Sequence, residues 1–157
     1  MQGIRLVAAG KLKERFLISA QNEYLKRISR FTPLEIRELA EERLPENPSR
    51  SEIEAALKRE AALIRGEIPS GSVTAALCKE GKMYDSEGFS ELLTGDMRGR
   101  LVFVIGSSFG LDEGFKGEAP LRISMSEMTF PHHLARIMLL EQIYRGFMID
   151  TGGRYHK

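Results

Sequence analysis

The sequence predicts an α/β fold, a mostly parallel sheet flanked by helices, on three observations. Short apolar runs alternate with helical patterns along the whole chain, the layout of successive βαβ units. The run Leu101 to Ile105, LVFVI, holds no polar residue, as suits a strand covered on both faces. Glycine, proline or polar clusters separate the runs, leaving room for right-handed crossovers.

The elements follow in order. Ile4 to Ala9 is an apolar strand ended by Gly10, and a lysine-rich turn leads into a helical pattern from about Glu14 to Arg30. Pro33 to Ala40 alternates Leu34, Ile36 and Leu39 with Glu35, Arg37 and Glu38, the pattern of a partly exposed strand. After a loop with two prolines, Ser49 and Glu52 form a capping-box pattern that opens a helix to about Arg65, closed by Gly66 and Pro69. Ser72 to Leu77 is the third strand. A polar turn bracketed by Gly81 and Gly88 precedes a shorter helix around Phe89 to Met97, and Leu101 to Ile105 is the fourth strand. The glycine loop Gly106 to Gly110, a short strand Leu121 to Ser124 and a long helix from about Pro131 to Ile149 complete the reading.

A length of 157 residues, 42% apolar and 29% charged, suits one compact domain over 1–157. Folding at this size hides roughly two thirds of the unfolded surface, enough for a core without disulfides or metal clusters. The single cysteine, Cys78, cannot form an internal disulfide or a multi-thiolate zinc site, so the expected compartment is the reducing cytoplasm. No apolar stretch approaches the roughly twenty residues that span a bilayer, and MQGIRLVAAGKLKE lacks the order of a signal peptide. Net charge is +1, yet residues 1–30 carry seven basic against two acidic side chains and 131–157 carry four against two, while the middle is acidic. Basic ends brought together would attract a polyanion; solvated helix faces are the better account of the charge count taken alone.

In parallel sheets the ligand lies beyond the carboxyl ends of the strands, so the search area is just after Leu77, Ile105 and Ser124. The loop GSSFGL fits neither G-x-G-x-x-G nor a Walker sequence, and reads as a structural turn or as a place of close backbone approach. His132 and His133 are adjacent, about a hundred degrees apart on a helix, without the His-x-x-x-His spacing of a metal pair. The last helix is apolar around most of its circumference, so it either lies deep in the domain or packs on a second subunit. Glu141 and Arg145, four apart, form an ordinary helix pair or a pair aimed at a site.

Taken together, LVAAGKLKE, Gly81 and Lys82 beyond Leu77, DSEGF, VIGSSFGL, ISMSEMTFPHH, LLEQIYRGF and the terminal YHK resemble the ribosomal large-subunit pseudouridine N3-methyltransferases of the SPOUT superfamily, the RlmH family. The likeness runs from end to end. It implies an α/β knot, a deep trefoil knot in the C-terminal part. It also implies a homodimer acting in the cytoplasm on 23S rRNA within the ribosome, at the intersubunit-bridge stem-loop, with no membrane association and no metal. The cofactor implied is S-adenosylmethionine, held by Leu77, Gly106, Met125, Ser126, Glu127, Met128, Thr129 and Phe130. The catalytic set expected is His156, Tyr155, Arg145 and Glu141: the tail, lent by one subunit to the other's cofactor, holds the target base and relays its imino proton. Arg145 and Arg154 contact phosphate or base, and Glu141 orients Arg145.

Two positions depart from the family pattern: Cys78 stands where an acidic residue is usual, and Ser107 where a second glycine is common. A thiol nucleophile is not needed for nitrogen methylation, so Cys78 is expected to be a buried thiol. The competing reading is an RNA-binding dimer without chemistry, for which 8% aromatic residues and no Trp offer a poor stacking platform. A nucleotide hydrolase would need a metal or phosphate motif that the sequence lacks.

Overall fold

The computed structural model describes residues 2–95 and 99–156. Its elements are β1 (Ile4–Ala9), α1 (Arg15–Ile28), β2 (Leu34–Leu39), α2 (Arg50–Gly66), β3 (Val73–Met83), α3 (Ser86–Thr94), β4 (Leu101–Ile105), α4 (Glu113–Glu118), β5 (Leu121–Ser124) and α5 (His132–Asp150). The sheet order is β2-β1-β4-β3-β5, and every pairing is parallel. The predicted α/β class and parallel sheet are therefore present.

Strand alternation sorts the core into two layers. Ile4 and Leu6 of β1, Ala75 of β3, and Leu101, Phe103 and Ile105 of β4 face Ile28 of α1, Phe89 and Leu93 of α3, and Leu139, Leu140, Ile143 and Phe147 of α5. Val7, Ala76, Val102 and Val104 face the other way, onto Ala61 and Ile64 of α2 and Leu111 and Phe115 beside and within α4. All five residues of β4 are buried, as its all-apolar run requires for the central strand of a doubly covered sheet. Edge strand β2 keeps its expected half-exposed pattern.

The structure departs from the sequence reading in four places. β3 continues past Leu77 to Met83: it pairs with β5 up to Leu77↔Ile123, swings out for four residues, and rejoins at Lys82↔Ile123. Gly81 makes this possible, because a Cβ there would lie 2.6 Å from the backbone of Arg122 and Ile123. α3 begins earlier than Phe89 because Asp85 caps it, accepting from the Gly88 amide at 2.7 Å; the predicted end near Met97 falls outside the described residues. α4 was not anticipated; Asp112 caps it by accepting from Phe115 N at 3.0 Å. Pro131 sits at the N-cap of α5, and the helix starts at His132. The Ser49 cap of α2 is as expected, with Oγ accepting from Glu52 N at 3.2 Å.

Candidate active site

The carboxyl ends of β4 and β5 and the bulge of β3 after Leu77 meet around a cavity of about 660 Å³, well within the roughly 300–1,000 Å³ of small-molecule sites. Its walls include Leu77, Ile105, Gly106, Ser107, Met125 and Phe130. Of the expected cofactor residues, Leu77, Gly106, Met125, Ser126, Met128, Thr129 and Phe130 all line it; Glu127 does not, and is exposed.

Each wall has a local cause. A Cβ on Gly106 would fall 2.1 Å from the carbonyl oxygen of Gly110, so the chain can fold back there only with glycine. The turn is closed by Gly110 N donating to Ser107 O at 2.9 Å. Ser107 is buried, and its hydroxyl donates to Glu60 Oε1 of α2 at 2.8 Å. A serine in place of a second glycine thus ties the loop to α2. After β5, Ser124 Oγ donates to Ser126 O at 3.1 Å and Met128 N donates to Ser126 Oγ at 3.0 Å, which curls 124–128 over the cavity. Cys78 is half-buried; burial and the nearby Glu80 carboxylate push its thiol upward, which suits an unreactive thiol.

α5 closes one side with His132 and Ala135. The two histidine rings meet edge-on, 4.1 Å between centroids. Burial, then the neighbouring His133, pulls His132 below its ordinary value despite Glu41, so His132 is neutral at physiological pH. Its Nε2 lies 3.1 Å from Glu41 Oε1 but off hydrogen-bond geometry. Among the described residues no group of three or more His, Cys, Asp or Glu is arranged to hold a metal ion.

The four expected catalytic residues also come together, but in a different place. Arg145 Nε donates to Glu141 Oε1 at 3.0 Å, Tyr155 Oη donates to the same oxygen at 3.1 Å, and the Arg145 guanidinium sits 4.7 Å above the Tyr155 ring. His156 bridges Arg145 Nη1, at 3.3 Å from Nδ1, and Glu87 Oε1, at 2.9 Å from Nε2. Tyr155 also packs edge-on against Tyr144 at 4.8 Å. Burial, with the Glu141 carboxylate next, pushes the Tyr155 hydroxyl up to about 12, which makes it a hydrogen-bond donor and not a base. None of Arg145, Tyr155 and His156 lines the 660 Å³ cavity of its own chain. Glu141 and Glu87 instead border a second cavity of about 550 Å³, which shares Ile123, Ser124 and Met125 with the first. Arg154 is exposed.

Sequence reasoning missed the buried ionic residues behind the site. Arg136, 1% exposed, donates to Glu38 Oε2 at 2.7 Å, Gly10 O at 2.9 Å and Gln21 Oε1 at 3.2 Å. A lone cation in the apolar stretch LARIMLL was the available signal. Glu60, 5% exposed, had none: it stands among the charged residues of a surface-patterned helix.

Fold and cavity define an α/β enzyme that binds its small-molecule ligand past the carboxyl ends of parallel strands. A family profile described as "Predicted SPOUT methyltransferase" matches residues 1–156. A protein of Lactococcus lactis subsp. cremoris (strain SK11), named "Ribosomal RNA large subunit methyltransferase H", is 45% identical over 157 residues, covering 98% of this chain and 99% of that protein. Proteins of the same name from Streptococcus uberis (strain ATCC BAA-854 / 0140J) and Streptococcus suis (strain 05ZYH33) are 44% and 42% identical, with the same coverage. The chain belongs to the SPOUT methyltransferase family. It is a methyltransferase, and its chemistry requires a methyl donor.

Proposed function

We propose that the chain methylates N3 of a pseudouridine in 23S rRNA of the ribosome, at the intersubunit-bridge stem-loop, with S-adenosylmethionine as donor. In this reading it acts in the cytoplasm as a single-domain homodimer without a metal. The observation that carries it is the convergence of the ends of β4 and β5 and the bulge of β3 on one cavity lined by all but one of the expected donor contacts. The printed name of the relatives supplies the RNA class. The detour of β3 around β5 fits a threaded C-terminal part.

The residues present fit the donor. Leu77, Ile105, Met125 and Phe130 give an apolar pocket for an adenosyl group, and the bulged backbone after Leu77 has no ladder partner on β5 until Lys82. S-adenosylmethionine, when bound, supplies a sulfonium-activated methyl group. The protein then has to align the acceptor nitrogen and manage its proton. Tyr155, a fixed donor, and Arg145, held by Glu141, orient the base. His156 is the group left to take the imino proton, at Nδ1 once that nitrogen is released from Arg145 Nη1, while Glu87 holds Nε2. Because none of the three lines its own chain's cavity, the tail of one protomer serves the cavity of the other.

The test is transfer of a labelled methyl group from S-adenosylmethionine to ribosomes lacking the mark, with the modified nucleotide mapped by mass spectrometry. Calorimetry with the donor separates this from an RNA-binding module, which would bind RNA and show no donor heat.

A further inference from the structure

We propose that residues 38–42, the end of β2 and the loop after it, form a strap that holds the two facing walls of the donor cavity in register, although no residue of the strap lines that cavity. The inference rests on the methyl-donor reading above and adds to it a set of positioning residues.

The first tie runs to the α5 wall. Arg136 stands one turn after His132 and reaches Glu38 Oε2 at 2.7 Å with one nitrogen and Gly10 O at 2.9 Å with the other. Glu38 Oε2 also accepts from Leu12 N at 3.0 Å, so one carboxylate joins β2, the loop after β1 and α5. Burial alone would raise Glu38; the Arg136 guanidinium and the Leu12 amide outweigh it and keep the group ionised. Glu41, three residues beyond Glu38 on the strap, lies against His132 of α5. The second tie runs to the glycine-loop wall. Glu60 accepts from Ser107 Oγ with Oε1 and from Glu42 N with Oε2, at 2.8 and 3.0 Å. Three hydrogen bonds, Arg136–Glu38, Glu42–Glu60 and Ser107–Glu60, together with the strap's backbone, therefore connect α5 to the glycine loop. Removing a partner from either buried tie leaves a charged group unpaired, which the fold relieves by moving backbone. The backbone free to move on one side is the glycine loop, and on the other the start of α5.

The test uses two substitutions outside the cavity. Glu60→Gln keeps an acceptor for Ser107 but puts an amide donor against Glu42 N. Arg136→Lys keeps a positive charge for Glu38 but cannot also reach Gly10 O. Donor affinity is measured by calorimetry with S-adenosylmethionine on both single variants and the double variant, alongside thermal midpoints. Each single change is expected to weaken donor binding about five- to tenfold, with the KM for the donor rising and the KM for ribosomes unchanged. The double variant is expected to lose clearly less than the product of the two, because both act through one strap. Hydrogen exchange gives a readout independent of catalysis: Glu60→Gln should speed exchange at 126–130 as well as at 106–110. Wild-type affinity in both variants, strictly multiplicative losses, or exchange changes confined to the mutated side would each overturn the strap. If the wild type itself takes up no donor, the donor reading fails, while the exchange result still decides the strap.

Discussion

The donor cavity and the C-terminal cluster are built on opposite principles. The cavity is made by backbone: two parallel strands end beside the bulge of a third, and glycine and serine turns hold the loops beyond them. The cluster is made by side chains: one helix contributes Glu141 and Arg145, and the last residues fold back to add Tyr155 and His156. A backbone-built site is complete in one chain and fixed before ligand arrives. A side-chain cluster on a chain end is held by a few polar contacts, and can be presented to whatever surface lies opposite. In the proposed function, the first region binds the small donor and the second handles the acceptor.

The largest expected effect comes from breaking the backbone of the cavity. Gly106→Ala would place a Cβ 2.1 Å from a carbonyl oxygen that cannot swing away. We expect about 1–3 kcal/mol of lost stability and donor binding below detection by calorimetry. Normal donor affinity in Gly106→Ala would show that the loop is a turn without a role at the donor.

Next comes the cluster. His156→Ala should lower turnover about 10²-fold while leaving donor affinity at the wild-type value. Tyr155→Phe, which removes one hydrogen bond to a carboxylate, should cost less than about tenfold. Because Tyr155 remains protonated until about 12, its removal should leave the pH profile of turnover unchanged below that value. Mixing His156→Ala with Gly106→Ala protein should restore part of the activity if the proposed dimer forms, since a mixed pair would then join one intact tail to one intact cavity. Failure of mixing to restore turnover, with mixed dimers present, would place tail and cavity in the same chain.

A smaller effect probes the cavity wall from inside. Cys78 lines the cavity with its thiol pushed upward by burial, so maleimide should label it slowly near neutral pH, and saturating donor should slow it further. Labelling unaffected by donor would move the ligand away from the end of β3.

What was legible in the sequence follows the same division. Features set by local backbone chemistry could be read directly: the all-apolar central strand, the Ser49 cap, and the three strand ends where glycine, serine and proline replace apolar residues. Short or irregular elements could not. α4 has six residues and too few apolar positions for a period, and the detour of β3 depends on contact between Gly81 and a strand some forty residues later. The cluster was legible only as an apolar helix with one Glu–Arg pair and, through the family likeness, as a tail. The Glu38–Arg136 and Glu60–Ser107 ties escaped because Glu38 and Glu60, taken singly, belong to ordinary charged patterns, and the lone Arg136 in its apolar stretch names no partner. Their meaning arises when distant segments meet.

The smallest effect sharpens the comparison through two acid-labile groups on the cavity side. Folding holds His132 below its ordinary value of 6.5, so the unfolded chain binds a proton there more readily than the folded one. Stability contributed by neutral His132 is therefore present above about 6.5 and is lost as pH falls below it, until the folded form also protonates. Glu38 acts later in the same direction. Its folded value lies below 4.5, so the stability from its ionised form is present above that value and disappears as pH falls through the folded one. Thermal midpoints measured from pH 8 to 3 should decline in two stages. His132→Gln should remove the earlier stage, and Glu38→Gln should reduce the later one, to which the paired carboxylates of Glu35 and Glu80 also contribute. The cavity should loosen only when folded His132 itself takes a proton, at a pH lower than the onset of the first stage, because His132 is part of its wall whereas Glu38 reaches it only through Arg136. Donor affinity should accordingly hold through about pH 6.5 in the wild type, fall at the lower pH where folded His132 is protonated, and stay level there in His132→Gln. A level response in the wild type, or a fall that persists in His132→Gln, would move the acid sensitivity out of the cavity wall.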